Sequence, residues 1–347
     1  MEVKLEQNFQ KIGGVILAAG KSTRMKSKIN KMLTFFNGKP LIQHVVNASQ
    51  QAGLNPIILV IGPEGDGFKN LFGNSVQYAI QEKRLGTGHA LMQAESLIPK
   101  DLEHMVLMVG DHPFMSADCI GFLIENHLAK KAAASLLTVI FDDLSTYGRI
   151  VRDQEGKILR IVEHKDATEA ERQLKEVNIS TYCFSIKKVM PLLQQLRANN
   201  VQKEYYLTDI IEILLKNGEI VQAIPYPDNR IGVGINHRVD LAKALAIARK
   251  EYFEKLMLSG VTILDPNSTF IDSTVRIGND TTIYPFSYIE QNTIIGSDCR
   301  IGPHVRITNS QIPDNSAIEF SVIETSQFQN SIKIGPFVHY QNNISKK

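Results

Sequence analysis

Between residues 271 and 307 isoleucine returns at every sixth position: Ile271, Ile277, Ile283, Ile289, Ile295, Ile301 and Ile307, with Gly278, Gly296 and Gly302 directly after three of them. That interval fits neither a helix face nor a long alternating strand. It is the signature of a hexapeptide β-helix, and over seven turns of the pattern chance is a poor explanation. Each repeat supplies one short strand whose isoleucine enters a core shared with its neighbours, so stability comes from stacking. About four coils of three hexapeptides are expected. The pattern loosens after Ile312 and Ile318, and the tail from Gln341 to Lys347 is polar.

Before these repeats, from Arg238 to Met257, Val239, Ala242, Leu245, Ala246, Tyr252, Phe253 and Leu256 recur at three- and four-residue steps. That spacing predicts an amphipathic connecting helix. From residue 13 to about 235, short apolar runs alternate with helical patterns, as in an α/β sheet. The expected organisation is an α/β domain over 1–235, a connecting helix over 236–260 and a β-helix over 261–347. At 347 residues with 43% hydrophobic content the chain is long enough for two domains with real cores.

The α/β part opens with Val15-Ile16-Leu17-Ala18-Ala19, a buried strand that breaks at Gly20 into a loop carrying Lys21, Arg24, Lys26, Lys28 and Lys31. Glycine lets backbone N–H groups approach an anion, and the cations supply charge where phosphate would gather it. A solvated basic loop is the plainer reading. A P-loop ending at Gly20-Lys21-Ser22 would need glycine where Val15 stands, and Gly-x-Gly-x-x-Gly is absent. Net charge is only +2, from 38 basic and 36 acidic residues, so a local anion pocket fits better than a nucleic-acid or membrane surface. The three cysteines, Cys119, Cys183 and Cys299, are scattered and lack a Cys-x-x-Cys pair, which points to a reducing cytosol. Neither a leader's apolar segment in Met1 to Lys11 nor a run of about 18 apolar residues is found, so secretion and membrane insertion are not expected.

Further strings extend the theme. In Gln81-Glu82-Lys83-Arg84-Leu85-Gly86-Thr87-Gly88-His89-Ala90, two glycines precede a helix, whose amides could face a ligand or form an ordinary entry turn. Met105 to Val109 runs into Gly110-Asp111-His112-Pro113, placing Asp111 just past a strand's carboxyl end, where open α/β sheets bind ligands. Magnesium needs one or two protein oxygens beside water and phosphate, which Asp111 could supply; a turn-forming aspartate explains the same string. Glu163 could accept hydrogen bonds from sugar hydroxyls, and Gly148 could let backbone close on an N-acyl group. Thr208 reads as the N-cap of a helix from about Asp209 to Lys216, and Asn236 precedes the connector.

These strings, Leu17-Ala18-Ala19-Gly20-Lys21-Ser22-Thr23-Arg24-Met25 with Lys31, Leu85-Gly86-Thr87-Gly88-His89-Ala90, Tyr147-Gly148-Arg149, Glu163-His164-Lys165-Asp166-Ala167 and Glu204-Tyr205-Tyr206-Leu207-Thr208-Asp209, resemble those of one family. It is the bifunctional N-acetylglucosamine-1-phosphate uridylyltransferase and glucosamine-1-phosphate acetyltransferase family, and the resemblance covers roughly residues 13 to 338. It implies a nucleotide-diphospho-sugar transferase domain of Rossmann-like type followed by a left-handed parallel β-helix. It further implies UTP and N-acetylglucosamine 1-phosphate as substrates and Mg2+ as the metal. Arg24 and Lys31 would neutralise the triphosphate; Leu17, Ala18, Ala19, Gly20, Gln81, Gly86 and Thr87 would seat the nucleotide. Gly148, Glu163, Asn178, Tyr206 and Thr208 would seat the sugar, and Asp111 and Asn236 would hold the metal. The family usually trimerises through its β-helix, so a homotrimer is expected. Its acetyl-transfer site lies on later coils than the sequence reaches at Ile334-Gly335-Pro336-Phe337, so acetyl transfer is not expected. The chain departs from the family with Ser22 for a glycine, Ile29-Asn30 for Leu-Pro, Val109 for an aromatic and Ile179-Ser180 for Thr-Gly. Two other readings stay open: the same chemistry, with UTP or dTTP, on another sugar 1-phosphate, and a non-catalytic hexapeptide assembly subunit.

Overall fold

The computed structural model describes residues 11–142 and 146–342. The first ten residues, read above as lacking a leader, and most of the polar tail lie outside them. The chain divides into two compact units, one of residues up to Thr34 with Pro40–His237, the other of Phe35–Lys39 with the residues from Arg238 on.

The first unit is built on a mixed sheet, nine-stranded among the described residues. Its strands are β1 (Ile12–Leu17), β2 (Ile57–Ile61), β3 (Gln77–Ile80), β4 (His104–Val109), β5 (Ala134–Ile140), β6 (Arg149–Arg152), β7 (Ile158–Val162), β8 (Glu176–Ser185) and β9 (Val221–Pro225). The order is β9-β5-β8-β4-β1-β2-β3, with β6 paired to β8 and β7. β1 lies parallel between β2 and β4, while β8 is antiparallel to both β4 and β5. Alternation along β1 sends Ile12 and Ile16 to one core and Val15 and Leu17 to the other, so the strand is covered on both faces. The longer helices of this unit are α1 (Leu41–Gln51), α2 (Asp66–Phe72), α3 (Thr87–Ala94), α4 (Ala117–Lys130) and α5 (Asp209–Lys216). α1, α2 and α4 cover the first face, and α3 and α5 the second. In α1, Leu41, Ile42, Val45, Val46 and Ala48 are buried, the stripe a helix must present to a sheet.

The second unit is a parallel β-helix preceded by α6 (Arg238–Leu258). Its inward ladders are Ile263, Ile283, Ile301, Ile318 and Ile334; Ile271, Ile289, Ile307, Ile323 and Tyr340; and Ile277, Ile295 and Ile312. The loosening of the sequence period is a shortening of corners: eighteen residues separate Ile283 from Ile301, seventeen Ile301 from Ile318, and sixteen Ile318 from Ile334. The coils therefore continue past the point where strict sixfold spacing ends. Many corners take left-handed backbone, at Asp280, Asp298 and Asn315 on one edge and at Phe286, His304, Phe320 and Phe337 on another. His304 stacks between Phe286 and Phe320, with ring centroids 4.8 and 5.3 Å away, and Phe337 extends the row.

The amphipathic stripe expected for α6 needs correction. Only Ala244, Ala248, Phe253 and Leu256 are buried, whereas Val239 is 59% exposed. Phe253 and Leu256 close the β-helix core, and Tyr252 donates to the carbonyl of Val275. Packing against the first coils thus engages the end of the helix and leaves Val239 and Leu245 near its beginning exposed.

Candidate active site

β1 stands at a switch point, its neighbours β2 and β4 being reached in opposite directions, and ligands of open α/β sheets bind outside strand ends at such points. The loops after β1 and β4 meet there. Lys31, buried at 7% exposure, donates from Nζ to Asp111 Oδ2 and, at 3.0 Å, to Asn236 Oδ1. Arg24 Nη2 donates to the same Asn236 oxygen at 2.8 Å. Four of the sequence-predicted residues therefore form one cluster. Burial raises the Asp111 carboxyl, but the Lys31 and His112 charges with the Lys31 hydrogen bond outweigh it and hold the group below its ordinary value. Asp111 is thus ionised at neutral pH. Asn236 is brought in by the segment Gly232–Asn236, whose Ile235 N–H donates to the Asp111 carbonyl at 3.0 Å. The phenol of Tyr147 clamps that segment, donating to Gly232 O at 2.6 Å and accepting from Gly234 N at 2.9 Å.

Leu17 and Ala18 bring only backbone to the site, and part of it is engaged: Leu17 O accepts from Gly110 N and Ala18 N donates to Val60 O. Ala19 and Gly20 differ. Among the described residues their amides have no hydrogen-bond partner, and Gly20 is exposed. Ser22 adopts φ +56°, a conformation that favours glycine, and its hydroxyl accepts from Lys31 N at 3.2 Å. Asn30 accepts from Met32 N at 3.0 Å, so the pair Ser22 and Asn30 shapes the turn that delivers Lys31.

The loop after β3 carries Gln81, 3% exposed, whose Nε2 donates to Gly86 O at 3.1 Å and meets His89 Nδ1 at 3.0 Å. Gly86 has φ +108°, and a Cβ there would stand 2.6 Å from Tyr205 O, so glycine is required for close backbone approach. Not all helix-entry amides face outward as expected. Gly88 N donates to Tyr205 O at 2.8 Å, and Thr87 Oγ1 accepts from Leu207 N at 3.0 Å, which ties this loop to residues 205–207.

The predicted sugar residues form a second network. Thr208 is not a side-chain N-cap: its backbone is already helical, and its Oγ1 donates to Glu163 Oε1 at 3.1 Å. Burial raises the Glu163 carboxyl, Thr208 lowers it, and Asp209, Asp166 and Glu204 raise it again, for a net upward shift. Asn178 Nδ2 donates to Tyr182 Oη at 2.7 Å, and its amide N donates to Gly148 O at 2.9 Å. Gly148 lies against Glu163, since a Cβ would sit 3.6 Å from Glu163 Oε1. Ser180, at φ +54°, is the second departure found in left-handed backbone, and Asn178 Oδ1 accepts from its N–H. Tyr206 is buried, with its phenol accepting from Gln202 Nε2 at 2.8 Å. Glu163 and Tyr206 also line a cavity of about 390 Å³ with Asp166, Asp209 and Glu212. Sequence reasoning missed Tyr147 as a clamp and Arg84 altogether; both stood inside strings already singled out.

Among the described residues no cluster of three or more His, Cys, Asp or Glu could form a metal cage. Asp111 and Asn236 nevertheless fit a shared cation, because their oxygens already converge on a single ammonium, that of Lys31. No helix among the described residues is long and apolar enough to cross a membrane.

Comparison with known proteins bears on the fold and the family. A family model described as MobA-like NTP transferase domain matches residues 14–149, and one described as bacterial transferase hexapeptide, of six repeats, matches residues 274–309. Proteins named bifunctional protein GlmU are similar over most of the chain. That of Geobacillus sp. strain WCH70 is 45% identical over 325 residues, covering 94% of this chain and 71% of the relative. That of Caldanaerobacter subterraneus subsp. tengcongensis is 42% identical over 332 residues, covering 95% and 72%. Among solved structures, a Bacillus anthracis protein described as a glucose-1-phosphate thymidylyltransferase, crystallised with sucrose, has a TM-score of 0.57 at 25% identity, covering 69% of this chain and 95% of its own. With a nucleotidyltransferase sheet, a hexapeptide β-helix and relatives at this identity over nearly its whole length, the chain belongs to the GlmU family.

Proposed function

We propose that the site joins UTP to N-acetylglucosamine 1-phosphate, giving UDP-N-acetylglucosamine and pyrophosphate. The observation that carries this reading is the convergence of Arg24 and Lys31 on Asp111 and Asn236, beside the amides of Ala19 and Gly20, which have no hydrogen-bond partner among the described residues. A phosphate oxygen of the sugar attacks the α-phosphorus of UTP, forming a P–O bond as the bond to pyrophosphate breaks on the opposite side. The work left to the protein is alignment and charge neutralisation. Arg24 and Lys31 meet the triphosphate and the departing charge, while the Ala19 and Gly20 amides, Gln81 and Gly86 seat the nucleotide. Glu163, Asn178, Gly148, Tyr206 and Thr208 receive the sugar. Mg2+, held by Asp111 and Asn236, would neutralise phosphate charge when bound.

Two wider elements complete the proposal. The exposed row Phe286, Phe320 and Phe337, at 58%, 39% and 87% exposure, supports assembly through the β-helix, as a homotrimer. Sedimentation at the mass of three chains is expected, and a concentration-independent monomer would end that idea. Three free, buried cysteines support a cytoplasmic location.

Pyrophosphate release with magnesium and UTP, offering N-acetylglucosamine 1-phosphate, glucosamine 1-phosphate and glucose 1-phosphate in parallel, tests the reaction. Turnover confined to the N-acetylated sugar is expected. Turnover on glucose 1-phosphate alone would move the reading to another sugar, the alternative favoured by the Bacillus anthracis neighbour. Silence with all three from folded protein would favour a non-catalytic assembly subunit. Arg24→Ala should lose roughly a hundredfold in rate, the scale of one transition-state charge contact, and a loss under about fivefold would remove its assigned role.

A further inference from the structure

Arg84 joins three loops that leave the same end of the sheet. β1, β2 and β3 are parallel neighbours, so the segments following them emerge side by side. From the loop after β3, Arg84 Nε donates to Ala19 O, after β1, at 2.5 Å, and Nη2 donates to Glu64, after β2. The side chain is 21% exposed. Gly62 makes room for it: a Cβ there would stand 2.4 Å from Nη2. This use of two nitrogens of one planar fork, held at a fixed separation, is something an ammonium group cannot reproduce.

We infer that Arg84 is a positioning residue for the nucleotide, setting the direction of the Gly20 N–H and fixing the loop of Ala19 and Gly20 against the loop of Gln81 and Gly86. In a trans peptide the carbonyl of Ala19 and the N–H of Gly20 point to opposite sides of one rigid plane. With the oxygen anchored on the guanidinium, the N–H of the exposed Gly20 faces away from Arg84 and has no hydrogen-bond partner among the described residues. An amide that is already oriented loses less entropy on receiving a phosphate oxygen. The same side chain fixes the separation between the amides of Ala19 and Gly20 and the groups of Gln81 and Gly86, all four assigned to the nucleotide. Its charge is matched by Glu64, so Arg84 acts through geometry and not as another phosphate cation.

The inference rests on the nucleotide-site reading above, and the test separates the two. Arg84→Ala, Arg84→Lys and Gln81→Ala are prepared in the full chain. UTP binding is measured by calorimetry, KM for each substrate and kcat by pyrophosphate release, and melting temperature by heating. Loss of a hydrogen bond from a charged donor corresponds to about tenfold in affinity. Arg84→Ala and Arg84→Lys should therefore bind UTP about tenfold more weakly, with KM for UTP rising in step and with kcat and KM for the sugar phosphate within about twofold of the parent. A merely structural ion pair would lower the melting temperature and leave this split between substrates absent. UTP binding within twofold of the parent by Arg84→Lys, or by a folded Arg84→Ala, overturns the inference. If the parent chain does not bind UTP, or Gln81→Ala binds it unchanged, the nucleotide-site reading itself fails and the inference falls with it.

Discussion

Replacing Thr208 by valine removes one hydroxyl and keeps the shape of the side chain. That hydroxyl donates to Glu163 at 3.1 Å from a buried position, and it is the one contribution opposing burial and three neighbouring carboxylates in setting the Glu163 proton affinity. A hydrogen bond to an ionised carboxylate is worth about 1.5–3 kcal/mol, and about 1.4 kcal/mol is one pKa unit, so its loss should move Glu163 upward by about one to two units. If ionised Glu163 receives the sugar hydroxyls, the acid limb of kcat/KM for the sugar phosphate moves to higher pH by the same amount. Comparison with the parent cancels the ionisation of the substrates themselves. Stability supplies a second readout. The folded pKa of Glu163 lies above its unfolded value, so the protonated form is favoured in the fold and stability falls as pH rises through that window. Thr208→Val extends the window upward, and urea denaturation should show a larger loss at pH 8 than at pH 5. An unmoved acid limb, or equal losses at both pH values, would refute the reasoning.

Gly86→Ala places a Cβ 2.6 Å from Tyr205 O at φ +108°, against backbone on both counts, and should cost about 2–4 kcal/mol in urea denaturation; an unchanged midpoint would remove the close-approach argument. Asp209, pushed up to about 6 by burial and then by Glu212 and Asp166, weakens the fold progressively as pH rises from about 4 to about 6. Its place at the start of α5 returns part of that, so Asp209→Asn should gain about 1 kcal/mol at pH 7.5 and nothing near pH 4, and equal stability at both pH values would refute the assignment.

The isoleucine ladder was legible because each hexapeptide strand turns one residue inward, and Ile283, Ile289, Ile295, Ile301 and Ile307 are all essentially unexposed. Shortened corners were not legible, since deleting a turn residue breaks the count without breaking the pairing of Ile301 with Ile318. In the α/β unit, the strings around Gly20 and Asp111 located two sides of the cation cluster because each lies just past an apolar run, whereas Asn236 was picked out by resemblance. Which atoms of those strings remain available depends on tertiary bonds: Ala18 N is taken by Val60, Gly88 N by Tyr205, and Thr208 Oγ1 by Glu163. Local propensity ranked Thr208 as a cap, and a long-range partner won. Ser22 and Ser180 stand in left-handed backbone where resemblance pointed to glycine, so the turns survive the substitution through hydrogen bonds from Lys31 N to Ser22 and from Ser180 N to Asn178.

The five residues Phe35–Lys39 fall within the second unit although some two hundred positions separate them from the rest of it. Asn37 accepts from both the amide and the hydroxyl of Ser273, each at 3.1 Å, so the insertion is bonded to the first coil and not merely near it. Neither unit is therefore a contiguous stretch of gene. A fragment starting at Arg238 would leave the amide of Ser273 without Asn37, and one ending at His237 would leave Asn37 without Ser273. Anyone exchanging the β-helix between related chains must graft two separate pieces, and a crossover anywhere between Lys39 and Arg238 splits a bonded pair across two parents.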